Sequence, residues 1–119
     1  MDFFEGKNLD CLVLVNPDNP TGNYISRKGM LKLARWTKEK NIRFLADESF
    51  VDFSEEAEPT LLVEELLDEN PHMIVVKSIS KSYGIPGLRL GVAASGDTDL
   101  IGQLKKDVAI WNINSFGEF

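Results

Sequence analysis

Cys11-Leu-Val-Leu-Val15 runs straight into Asn16-Pro-Asp-Asn-Pro-Thr-Gly22, an apolar, β-prone run followed by a stiff polar turn. An unbroken apolar run of this length, closed by turn residues, reads as a strand buried within a sheet. Two more runs repeat the pattern. Ile42–Ala46 (IRFLA) ends at Asp47, and Met73–Val76 (MIVV) follows Pro71 and ends at the loop Lys77–Gly87, rich in Ser, Gly and Pro. Between the first two, Ser26 is placed to cap a helix through Lys40, with Met30, Leu33, Ala34 and Thr37 at helical spacing. Thr60–Glu69 reads as a shorter helix with Leu62, Val63, Leu66 and Leu67 along one side. Leu88–Ala94 reads as a fourth strand, and Asp97–Trp111 as a last helix opened by a capping Asp. Strands buried on both faces and separated by helices predict an α/β fold, three layers deep (α/β/α), around a mixed, mostly parallel sheet. Ligands of such sheets bind beyond the carboxyl ends of the strands. That rule gathers three polar segments, 16–22, 47–53 and 77–89, into one crevice.

The composition narrows the function. The 119 residues carry 13 Lys and Arg against 19 Asp and Glu, a net charge of −6, which excludes a general nucleic-acid binder. Hydrophobic residues at 43% and charged residues at 27% exclude wholesale disorder. The length suits one domain or a part of a larger one. Cys11, the single cysteine, can form neither an internal disulfide nor a structural zinc site, and fits a reducing cytoplasm. No apolar stretch approaches the ~20 residues of a transmembrane helix, and residues 1–5 lack the basic region and apolar core of an export signal. No membrane association and a cytoplasmic location are therefore expected.

Each polar segment carries a structural and a chemical reading. In 16–22, two prolines fix φ and Gly22 permits a positive φ, so the segment is a turn. A rigid loop at a strand end also suits a side-chain amide that must hydrogen-bond a ligand. Asp47 is either a cap or solvated loop residue, or a fixed negative charge aimed into the crevice. Glu48 reads as structural, and Phe50 and Phe53 as packing residues. The third segment is Ser78-Ile-Ser-Lys81-Ser-Tyr-Gly84-Ile-Pro-Gly87-Leu-Arg89-Leu-Gly91. Lysines in loops are usually solvated. Lys81, however, sits among small hydroxyl residues directly after a buried strand, where an amine can serve as a nucleophile toward carbonyls. Arg89, at the start of the expected fourth strand, suits a bidentate anion contact. The glycines match neither GxGxxG nor GxxxxGK[ST], and they precede a strand rather than open a helix, which weakens a nucleotide-binding reading. His72 reads as a loop residue without metal-spaced partners, and no metal site is expected.

NPDNPTG, then DESF, then SISKSYGIPGLRLG together resemble the large domain of fold type I pyridoxal-phosphate enzymes, the aminotransferase class I/II family. The resemblance runs from Cys11 to about Asn114. The Phe of DESF, the IPGLRLG run and the late WNIN segment look most like the branch of threonine-phosphate decarboxylases and histidinol-phosphate aminotransferases. They also look like the aminotransferase-like half of bacterial proteins fused to a nucleotidyltransferase.

The resemblance implies pyridoxal 5'-phosphate as cofactor, an amino acid as substrate and a homodimer as the intact protein. It implies that Lys81 binds the cofactor's aldehyde as an aldimine and shuttles protons, and that Asp47 pairs with the ring nitrogen. It implies that Asn19 donates to the ring's 3-oxygen, that Ser78 and Arg89 bind the phosphate, and that Trp111 and Asn114 line the substrate site. The strand after the lysine loop should run antiparallel to the others. Amino-group transfer is the implied activity; decarboxylation of a threonine-phosphate-like amino acid and a non-catalytic scaffold are the alternatives. Two departures stand out. Phe50 occupies a position where many members have a Tyr that helps hold the 3-oxygen, which leaves Asn19 as the main donor. The family's chains are also much longer. Residues 1–119 are therefore expected to be part of the large domain, without the N-terminal segment and the small C-terminal domain, and inactive alone.

Overall fold

A computed structural model describes residues 2–4, 6–107, 114, 115 and 117. The strands are β1 (Cys11–Val15), β2 (Arg43–Asp47), β3 (Met73–Ser78) and β4 (Gly91–Ala94). The helices are α1 (Arg27–Glu39), α2 (Glu64–Glu69) and α3 (Thr98–Asp107). The sheet order is β1-β2-β3-β4, with the first three strands parallel and β4 antiparallel to β3. This is the α/β class with the mostly parallel sheet that the apolar runs predict, and the fourth strand is reversed as the family resemblance implies.

Register decides where the core sits. Leu12, Phe44 and Met73 share one row, and Leu14, Ala46 and Val75 a second on the same face. Phe44, Ala46, Met73 and Val75 are fully buried there against Met30 and Ala34 of α1 and against Leu61. The alternate positions, Val13, Leu45 and Ile74, point to the other face, where Val13 is 61% exposed. Burial on both faces, expected from the sequence, is therefore only partial: the α1 side is dry and the other is half covered.

Three boundaries differ from the sequence reading by two residues or more, each for a local reason, while the second strand shifts by one to Arg43–Asp47. The second helix begins at Glu64 rather than Thr60. The buried carboxylate of Glu48 accepts the Thr60 hydroxyl at 2.6 Å and the Leu61 N–H at 2.8 Å, which draws 60–63 into an extended strap over the core. The fourth strand begins at Gly91 rather than Leu88. Pro86 fixes φ and lacks an N–H, so Pro86–Leu88 forms a 3-10 turn and Arg89 adopts a left-handed backbone, φ 50 and ψ 41. The third strand extends to Ser78, which places that serine at a strand end and not in the loop. Ser26 caps α1 as expected, accepting from the Gly29 N–H at 3.3 Å. Asp97 caps α3, accepting from the Leu100 N–H at 2.9 Å. The stretch expected to continue this last helix, up to Trp111, lies outside the described residues. No helix among the described residues is long and apolar enough to cross a membrane.

Glu48 carries a prediction of its own. Burial pushes its carboxyl above the usual range, and the hydrogen bonds from Thr60 and Leu61 only partly oppose this. A folded pKa above the unfolded one contributes stability that is complete below the ordinary carboxylate pKa and disappears as pH rises through the folded value. Glu48→Gln keeps an acceptor for Leu61 and cannot ionise. The variant is expected to gain stability relative to the parent at neutral pH and to lose that advantage in acid. Urea unfolding of both proteins at the two pH values checks this; a variant less stable at neutral pH would contradict it.

Candidate active site

The two asparagines of the loop after β1 have different jobs. Asn16 is 3% exposed and closes the loop on itself: its Nδ2 donates to the Ile25 carbonyl and its Oδ1 accepts the Ile25 N–H, both at 2.8 Å. Its own N–H donates to the Asp47 carbonyl at 2.9 Å, joining the ends of β1 and β2. Asp18 accepts the Thr21 hydroxyl at 2.5 Å, and Gly22 takes the positive φ of 72 that the turn needs. The Asn16–Pro17 and Asn19–Pro20 bonds are both cis. Asn16 is therefore a clamp. Asn19 is exposed and lines a cavity of about 530 Å³ together with Tyr24, Phe50 and Phe53.

At the end of β2, Asp47 is half-buried. Its Oδ1 accepts the Ser49 hydroxyl at 2.6 Å and the Ser49 N–H at 2.9 Å. The Ser49 hydroxyl in turn accepts the Ser78 N–H at 3.1 Å. Asp47 and Ser78, far apart in sequence, are thus joined through one side chain. Ser49, Ser78, Ser80 and Arg89 line a second cavity of about 390 Å³ beside β3 and β4. Hydroxyls and a guanidinium are the donors a phosphate requires, and the volume lies in the range of small-ligand sites.

Lys81 lines neither cavity but contacts the wall of the first. Its Nζ sits 4.2 Å from the centre of the Phe50 ring, on the residue that lines the Asn19 cavity. Among the described residues it enters no ion pair. Lys77, by contrast, lies 2.6 Å from Asp52. Burial alone would raise the Asp52 carboxyl, but its hydrogen bonds, led by that from Lys77, hold it below the usual range. The two lysines of this segment are therefore sorted by geometry: one is paired and largely covered, the other exposed at the crevice.

Of the residues predicted from sequence, Asp47 and Ser78 are brought together through Ser49, Ser78 and Arg89 share a cavity, and Lys81 reaches Asn19's cavity through Phe50. Arg89 does so from a turn and not from the start of a strand. Asn114 donates to the Leu88 carbonyl, next to Arg89. Trp111 lies outside the described residues. Ser49, Ser80 and the Lys77–Asp52 pair are features the sequence reading missed. Their only signal was adjacency to singled-out residues, since spacing does not reveal which way a hydroxyl points. His72 packs its Nε2 2.9 Å from the Ala34 carbonyl, and desolvation lowers its pKa. Among the described residues, no group of His, Cys, Asp and Glu is arranged to hold a metal.

Beyond its strand ends, this mostly parallel sheet carries a lysine, a carboxylate, an amide and a hydroxyl-lined cup, where α/β folds bind small ligands. Comparison with known proteins makes this specific. The family model "Aminotransferase class I and II" matches residues 4–118, and the chain belongs to that family. The chain is 39% identical to L-serine phosphate decarboxylase of Sulfurospirillum multivorans, covering 98% of this chain and 30% of that protein. It is 37% identical to CMP-5'-(3-aminopropyl)phosphonate synthase of Streptomyces rubellomurinus (98% and 18%). Histidinol-phosphate aminotransferase of Aliivibrio fischeri is 33% identical (87% and 28%). Among solved structures, L-threonine-O-3-phosphate decarboxylase of Porphyromonas gingivalis superposes with a TM-score of 0.77 at 28% identity, covering 92% of this chain and 32% of that one. The chain spans less than a third of the length of each of these relatives.

The cofactor of the family is pyridoxal 5'-phosphate. The donor set fits it chemically: an amine for the aldehyde, a carboxylate with one oxygen fixed for the ring nitrogen, an amide for the ring oxygen, and a hydroxyl and guanidinium cup for the phosphate.

Proposed function

We propose that this chain is the lysine-bearing part of the large domain of a pyridoxal-phosphate enzyme that transfers the amino group of an amino acid. The observation that carries the reading is the placement of Lys81, exposed at the crevice on Phe50, while Lys77 is committed to Asp52. When bound, the cofactor supplies an electron sink for the bond broken at the substrate's α-carbon. Asp47 keeps a negative charge at the ring nitrogen, Asn19 donates to the ring oxygen, and Ser78 and Arg89 hold the phosphate. The Lys81 amine would take the proton from the substrate's α-carbon.

A second reading is decarboxylation of a phosphorylated amino acid. The serine-phosphate decarboxylase at 39% identity favours it, against 33% for the aminotransferase. The lengths of the relatives support a larger protein. The family resemblance supports a small domain, a homodimer and substrate contacts from outside residues 1–119, and the single cysteine a reducing cytoplasm. The CMP-containing name of one relative is in keeping with a fused nucleotidyl-transfer unit.

Product analysis separates the two activities. The protein carrying this chain, loaded with pyridoxal phosphate, is given phosphoserine, phosphothreonine or histidinol phosphate, with and without 2-oxoglutarate. Formation of glutamate dependent on the oxo acid supports amino-group transfer. Carbon dioxide release without glutamate replaces that reading by the second, and neither product from any substrate overturns both.

A further inference from the structure

We propose that Ser49 is a positioning residue that aims the Asp47 carboxylate and locks it to the Ser78 end of the site. The backbone around Asp47 is already fixed on both sides: the Asn16 N–H donates to the Asp47 carbonyl at 2.9 Å, and the Glu48 N–H donates to the Val76 carbonyl at 2.8 Å. What remains free is rotation of the carboxylate. The Ser49 N–H on Oδ1 makes an Asx turn that any residue could supply. The hydroxyl does more. An ionised carboxylate can only accept, so the single hydroxyl proton of Ser49 must lie on Asp47 Oδ1, at 2.6 Å. The hydroxyl's lone pair is then left for the Ser78 N–H at 3.1 Å. With two donors on Oδ1 and none among the described residues on Oδ2, the second oxygen is the one left for a ligand. Ser49 also lines the cavity shared by Ser78, Ser80 and Arg89. One hydroxyl therefore couples the position of the ring-nitrogen partner to that of the phosphate cup.

This inference rests on the reading that Asp47 meets the ring nitrogen. Ser49→Ala keeps the Asx turn and removes both hydroxyl contacts, and Ser49→Thr restores a hydroxyl. The protein carrying this chain is reconstituted with pyridoxal phosphate labelled at the ring nitrogen, whose NMR resonance reads protonation, and the cofactor's affinity is titrated in parallel. Ser49→Ala is expected to bind the cofactor about tenfold more weakly, the equivalent of about 1.4 kcal/mol. It should also move the resonance toward the unprotonated position, with Ser49→Thr returning toward the parent. An unmoved resonance, with or without lost affinity, would overturn the proposal, because a merely structural contact leaves ring protonation alone. Asp47→Asn separates the two levels. If it moves the resonance and Ser49→Ala does not, only the role of Ser49 fails; if Asp47→Asn leaves the resonance in place, the reading of Asp47 fails with it.

Discussion

Lys81→Ala is expected to cut turnover of the protein carrying this chain by about 10⁴-fold while leaving its fold intact, since it removes both the nucleophile and the proton carrier. The side chain is exposed, and among the described residues its nitrogen meets only the face of Phe50, so truncation empties no part of the core around Phe44 and Met73. Lys77 cannot take over. Its amine is held 2.6 Å from Asp52, and its side chain is only 12% exposed. Steady-state rates, with thermal unfolding as the control for folding, check the expectation. Near-parent turnover in Lys81→Ala, or a larger loss in Lys77→Ala, would move the chemistry away from Lys81.

Asp47→Asn is expected to keep part of the cofactor and lose turnover by roughly 10²–10³-fold, the scale seen when one preorganised charge-stabilising contact is removed. The substitution is clean here. Asparagine Oδ1 can still accept the Ser49 hydroxyl and N–H, so the local hydrogen bonds survive and only the charge is lost. Parallel measurement of cofactor occupancy and kcat tests this, and a variant with the parent's rate would make Asp47 a structural residue.

The strands were legible because short apolar, β-prone runs closed by turn residues mark sheet strands, as in Leu12–Val15 and Phe44–Ala46. The runs did not reveal that β1 lies at the sheet edge with Val13 61% exposed. Reversal of β4 came from the family resemblance and not from its own residues. The boundaries that shifted depend on contacts no local window contains. Thr60 and Leu61 leave the expected helix for a carboxylate twelve or more residues upstream, and Arg89 enters a left-handed turn after Pro86. Within the site, the strand-end rule located the three polar segments. It could not separate Asn16, which closes its own loop, from Asn19, which faces a cavity, because both are asparagines before prolines. Nor could it find Ser49. A serine after an acidic pair has no periodic signal, and its value lies in the direction of one proton.

The central claim is that Lys81 is the residue to which the cofactor is attached, and one measurement addresses it directly. The protein carrying this chain is incubated with pyridoxal phosphate, reduced with borohydride, digested and mapped by mass spectrometry. The account predicts one pyridoxyl group on the peptide containing Lys81, with Lys77 unlabelled. A label on Lys77, or one spread over the surface lysines with Lys81 free, would contradict it.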